Sequence, residues 1–163
     1  MEPFIRPNVF CAYTDQSAVA AQARELAQGA ENEGDVARSI YTWMKENITY
    51  DKDKAKKLSS SSGYIPNPDE TLSSKTGICF DYASLAAAMF RSLGIPCKII
   101  TGYVAPDDIY HAWNMIYIDG KWESVEITVD PDTWTRIDTT FAATGADSEF
   151  IGDGSNYTDR YVY

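Results

Sequence analysis

Cys79, His111 and Asp138 follow one another along the chain in the order of a nucleophile, a base and an orienting acid. Cys79 sits in "KTGICFDYASLAAAMFRSLGIPC", residues 75–97, where it opens an alanine-rich stretch that predicts a helix to about Leu93. A thiol at a helix N-terminus lies beside backbone N–H groups with no intrahelical acceptor, at the positive end of the helix dipole. Both effects favour the thiolate, and the same N–H groups can hold a developing oxyanion. A cysteine there also serves as a small apolar filler, so position alone does not make it catalytic.

A base is available. His111 is the one histidine of the chain, and it opens "HAWNMIYI", which reads as a strand and so gives a side chain a fixed direction. Asp138 stands in "WTRIDTTF", flanked by Ile137 and Phe141. A carboxylate in such surroundings needs a partner, and His111 would supply one. A second acid, Glu126, is also within reach of the histidine strand across a hairpin, so the identity of the third member stays open at this level.

The elements that must carry these residues follow from pattern. Residues 16–30 and 34–47 have helical periodicity, the second with Val36, Ile40, Trp43 and Met44 on one face. "ITYD" (48–51) reads as a short extended exit, and residues 52–76, rich in Lys, Ser, Gly and Pro, as a long loop that lines a groove or moves. Gly94 and Pro96 end the cysteine helix. Strands are expected at 97–104, 111–118, 121–129 and 133–141, with Asp119-Gly120 as a tight hairpin turn and 157–163 as an edge strand. Helices first and mostly antiparallel strands after predict an α+β fold in a single domain spanning 1–163. Trp113 and Trp122 are expected in the hairpin core, and Cys97 at a buried strand start.

Composition narrows the function. A net charge of −10 with no basic cluster longer than "KDKAKK" (52–57) speaks against nucleic acid or an anionic membrane as partner. No apolar run approaches a membrane span, and "MEPFIRPNVF" lacks the pattern of a signal peptide. Cys11, Cys79 and Cys97 have no CxxC spacing, so a thiolate metal site is not expected. No cofactor is expected. Cys11 and Cys97 either pair or stay free.

The motifs "GICFDYASLAAAMFRSLGIPCKIITGYV" (77–104), "HAWNMIYIDGKW" (111–122) and "WTRIDTTF" (134–141) resemble the transglutaminase-like superfamily, the papain-like proteins of bacterial and archaeal type. The resemblance covers roughly 36–141. It implies a cysteine-bearing helix packed on an antiparallel sheet that carries the histidine and the acid, and a Cys79–His111–Asp138 triad, with Gly77, Tyr82 and Trp113 near the substrate and oxyanion. It also implies a peptide or protein substrate attacked through a thioester. Hydrolysis by a cysteine protease or amidase is favoured, with amine transfer to protein glutamine or a non-catalytic binding module as alternatives. Glu126 stands 15 residues past His111, where the common family pattern puts its acid, and Asp138 stands 27 past it. The neighbours of Asp138 match the family pattern better, so it is preferred. The acidic, tyrosine-rich composition and the family's usual setting suggest an exported or cell-envelope protein, with a cytoplasmic one as the alternative.

Overall fold

The computed structural model describes residues 1–58, 63–104, 109–125, 127–129, 136–138 and 157–163. Within these, the side chains of 103, 104, 109–111, 124, 125, 127–129, 136–138 and 157–160 are not described. Glu126 lies outside the described residues. The helices are α1 (Ala18–Leu26), α2 (Glu33–Asn47), α3 (Lys52–Leu58), α4 (Pro68–Ser74) and α5 (Cys79–Ser92). The strands are β1 (Thr49–Tyr50), β2 (Thr76–Gly77), β3 (Cys97–Val104), β4 (Ile109–Ile118), β5 (Lys121–Val125), β6 (Ile127–Val129), β7 (Arg136–Asp138) and β8 (Tyr157–Val162). The α+β reading holds.

The fold is organised around α5. Every residue from Asp81 to Arg91 is buried, because α1, α2 and α4 cover one side of the helix and β3 and β4 the other. Ala83, Ala86, Ala87 and Ala88 let those neighbours approach closely. Leu85, Met89 and Phe90 are fully removed from water, each contributing on the order of 1.5–3 kcal/mol. The helix stops as its sequence requires. Gly94 takes a left-handed φ of 78°, its N–H donates to the Arg91 carbonyl (3.0 Å), and the Ile95 N–H donates to the Phe90 carbonyl (3.0 Å). Those two bonds are a Schellman closure.

The four-stranded sheet runs β5-β4-β3-β8 and is antiparallel throughout. The β4–β5 hairpin turns on Asp119 and Gly120, both at positive φ (51° and 81°), as a type I′ turn demands. On β4, Ala112, Asn114, Ile116 and Ile118 are buried. Three of them are apolar, and the fourth is tied down: the Asn114 amide accepts from the Tyr41 hydroxyl (3.2 Å) and donates to the Ala83 carbonyl (3.0 Å) and the Lys98 carbonyl (3.2 Å). One buried amide thus fixes β4 against α2, α5 and β3.

The structure corrects the sequence reading in three places. Residues 52–76 are not a plain loop: they hold α3, α4 and β2. Asp51 accepts from the Lys54 N–H (2.9 Å) to start α3, and Asn67 caps α4 with Pro68 at its first position. β2 pairs in parallel with β1, Thr49 opposite Thr76 and Tyr50 opposite Gly77. The stretch 121–129 is two strands: β5 pairs with β4, whereas β6 pairs with β7. Asp138 therefore lies in a separate two-stranded sheet opposite Ile127, with β7 against α2, not on the sheet that carries His111. Of the expected strand 133–141, the described part is β7.

The far end of α5 makes a testable point. Arg91 is 2% exposed and donates to three main-chain oxygens, Cys97 (2.8 Å), Arg6 (2.9 Å) and Tyr163 (2.8 Å). Arg91→Met strands those acceptors and is expected to lower the unfolding free energy by about 3 kcal/mol, with Arg91→Lys in between. Denaturant melts check this; an unchanged midpoint for Arg91→Met contradicts it.

Candidate active site

Cys79 is the first residue of α5. The residue before it, Ile78, is extended (φ −95°, ψ 178°) and its apolar side chain cannot cap the first-turn N–H groups, while Asp81 in the first turn accepts from the Ile78 N–H. The first-turn N–H groups are left to water or another acceptor. The thiol is half-buried and has no hydrogen-bond partner among the described residues. It borders a crevice of about 10 Å³ shared with Tyr82 on its own helix, Tyr41 and Met44 of α2, and Ala112, Trp113 and Asn114 of β4. That space holds one water at most.

The turn that presents Cys79 is held from below. The Asp81 carboxylate is fully buried. One of its oxygens accepts from the Ile78 N–H (2.9 Å) and meets the Lys54 ammonium (2.8 Å), while the other accepts from the Tyr64 hydroxyl. Gly77 is required by this packing, since a Cβ there would lie 2.6 Å from the Asp81 Cβ. The preceding β2 is pinned to the exit of α2, with the Asp51 N–H donating to the Gly77 carbonyl (2.9 Å). Tyr82 is anchored by its hydroxyl, which donates to the Ile48 carbonyl (2.9 Å). Burial, then the nearby Cys79, Asp51 and Asp81, push the Tyr50 phenol up to about 12. Burial and the bond to Asp81 do the same to Tyr64, also to about 12. Neither phenol ionises at neutral pH.

Of the residues singled out from sequence, Cys79, Gly77, Tyr82 and Trp113 come together around the α5 N-terminus. His111 is in β4 opposite Gly102 of β3, one residue before Ala112 of the crevice. The side chains of His111 and Asp138 are not among those described. Trp113 is 3% exposed and belongs to the hairpin core as expected, and Trp122 is half-buried against Phe4 and Tyr117. Sequence reasoning missed the roles of Lys54, Tyr64 and Asn114. Asn114 was detectable: it is a polar residue at an apolar-parity position of a strand. Lys54 was not, because its partner is 27 residues away. A larger open groove of about 510 Å³ lies between α3, α4 and β2, bordered by Lys54 and Tyr64 and not by Cys79.

The three thiols are free and differ in access. Cys11 and Cys97 are fully buried, and burial pushes both thiols up despite the nearby Arg91. Iodoacetamide at pH 7 is expected to modify Cys79 at least about tenfold faster than either. Peptide mass mapping of a time course reads this directly. Modification of Cys97 or Cys11 first would contradict it.

Comparison with known proteins agrees with this fold. Residues 20–139 match the model of the transglutaminase-like superfamily. Mouse kyphoscoliosis peptidase is 27% identical over 114 residues, which is 64% of this chain and 17% of that protein. The chain thus spans under a fifth of that relative's length. Among solved structures, a candidate cysteine protease from Cytophaga hutchinsonii superposes with a TM-score of 0.64 at 23% identity, over 99% of this chain and 53% of that one. The periplasmic domain of Pseudomonas aeruginosa TgpA, bound to ethylmercury, gives 0.54 at 22% identity over 71% and 46% of the two chains. With its family model matched across most of its length, the chain belongs to the transglutaminase-like superfamily.

Proposed function

We propose that this chain is a thiol enzyme that cleaves peptide or amide bonds through a thioester on Cys79. The observation that carries the reading is the state of Cys79. It is the one thiol of the three with access to solvent, and it stands at a helix N-terminus whose N-cap residue, Ile78, has no side-chain acceptor for the first-turn N–H groups. In the proposed sequence His111 takes the thiol proton, and the sulfur attacks the carbonyl carbon. The N–H groups at the start of α5 receive the oxyanion. Collapse breaks the C–N bond, the departing amine takes the proton from His111, and a thioester remains. Water, deprotonated by His111, then releases the acid. Asp138 orients the imidazole in this scheme, with Glu126 as the alternative acid. An amine in place of water would make the same site a transamidase. The mouse relative is named a peptidase, which supports hydrolysis. The acidic composition supports an exported or cell-envelope setting.

The test uses a peptide library and glutamine-bearing proteins, with and without a labelled amine. The expected result is product release that needs no added amine. Cys79→Ala and His111→Ala each lower kcat/KM by roughly 10³-fold or more, and Asp138→Ala by less. Label incorporation with little hydrolysis would assign the amine-transfer reaction instead. No turnover, with wild type and Cys79→Ala binding the same partners, would assign a binding module.

A further inference from the structure

A buried carboxylate two residues past a nucleophile is an electrostatic liability. A negative charge out of water disfavours a second one forming nearby. Asp81 is 0% exposed and on the same helical turn as Cys79. Its compensation comes from elsewhere in the chain: the Lys54 ammonium on α3 sits 2.8 Å from one carboxylate oxygen and 4.7 Å above the ring of Tyr64, whose hydroxyl serves the other oxygen. Burial pulls the Lys54 ammonium down, but its bonds to Asp81 and Tyr64 outweigh this and hold it charged.

Among the described residues, other groups near the thiol do not replace Lys54. Tyr50 of β1 and Tyr64 are pushed to about 12 and stay neutral. Tyr41 and Tyr82 border the crevice, and Asp51 adds negative charge near Tyr50. The remaining lysine of the neighbouring groove, Lys57, is exposed.

We propose that Lys54, Asp81 and Tyr64 are positioning residues for Cys79. The carboxylate of Asp81 fixes the Gly77–Cys79 turn through the Ile78 N–H, and Lys54 cancels its charge so that the sulfur can become negative. The proposal rests on Cys79 being the nucleophile and assigns that site a charge supplied by α3. Through this pair, the segment that begins at Asp51 becomes part of the reacting centre without touching substrate.

The experiment is the rate of Cys79 alkylation by iodoacetamide between pH 5 and 10, in wild type, Lys54→Met, Tyr64→Phe and Lys54→Met/Asp81→Asn, each first confirmed to melt cooperatively. Lys54→Met is expected to displace the profile to alkaline pH and to slow alkylation at pH 7 about tenfold. Tyr64→Phe, which changes almost no volume, shifts it the same way by less. The double variant removes the charge, lets the new amide accept from Ile78 and donate to Tyr64, and brings the profile back toward wild type. A merely structural role predicts lower melting temperatures in all three variants, greatest in the double, with overlaid profiles. Overlay of Lys54→Met on wild type overturns the proposal; if that variant does not fold, overlay of Tyr64→Phe does so. Alkylation needs no turnover, so the two readings fail separately. A shifted profile in a protein without hydrolysis keeps the positioning role and removes the enzyme. Cys79-dependent hydrolysis with an unmoved profile does the reverse.

Discussion

One helix buries a charge near each of its ends, and the rest of the molecule is arranged to satisfy those two charges. Asp81 lies in the first turn of α5 and Arg91 in the last, the placement that suits the helix dipole. Neither reaches water appreciably. A buried charge without partners costs several kcal/mol, so each must recruit donors or acceptors wherever the chain can bring them. Arg91 gathers main-chain oxygens from the N-terminal segment, the start of β3 and the residue after β8. Asp81 gathers the Ile78 N–H, Lys54 and Tyr64. The first set joins distant parts of the chain to one end of the helix. The second sets the stage on which Cys79 stands at the other end.

This division explains which parts of the structure could be read from sequence. Elements governed by local chemistry were legible. The 34–47 periodicity, the Gly94 stop and the Asp119-Gly120 turn all appear where local rules place them. So did the cysteine at the helix start, because an apolar residue before it and a long alanine-rich run after it are visible in one window. Segments governed by tertiary partners were not. Residues 52–76 look like a loop because Lys, Ser and Pro dominate them, yet their two short helices are set by single caps at Asp51 and Asn67. α4 also supplies a cap to another helix, Asp69 accepting from the Val19 N–H of α1 at 2.9 Å. The 121–129 run reads as one strand because its composition is uniform. Only its pairing reveals two, since β5 and β6 have different neighbours.

The candidate site shows the same split. Gly77 and Cys79 were found by type and spacing, but the reason for the glycine is a carboxylate four residues on, which a side chain at 77 would strike. The buried polar groups Asp81 and Asn114 carry much of the site's precision. Asp81 controls the turn below the thiol, and Asn114 sets β4, the strand of His111, against α5 at the Ala83 carbonyl. Fully satisfied polar groups of this kind specify one geometry where apolar packing alone would tolerate several. They are therefore the physical link between the family fold and the placement of Cys79.

The central claim is that Cys79 accepts an acyl group at the α5 N-terminus. Intact-mass measurement during turnover of an activated acyl ester, quenched in acid and followed by peptide mapping, tests it most directly. The account predicts one acyl group per chain, located on Cys79 and absent from Cys79→Ala. An acyl group distributed over lysines, or one that persists in Cys79→Ala, would contradict it.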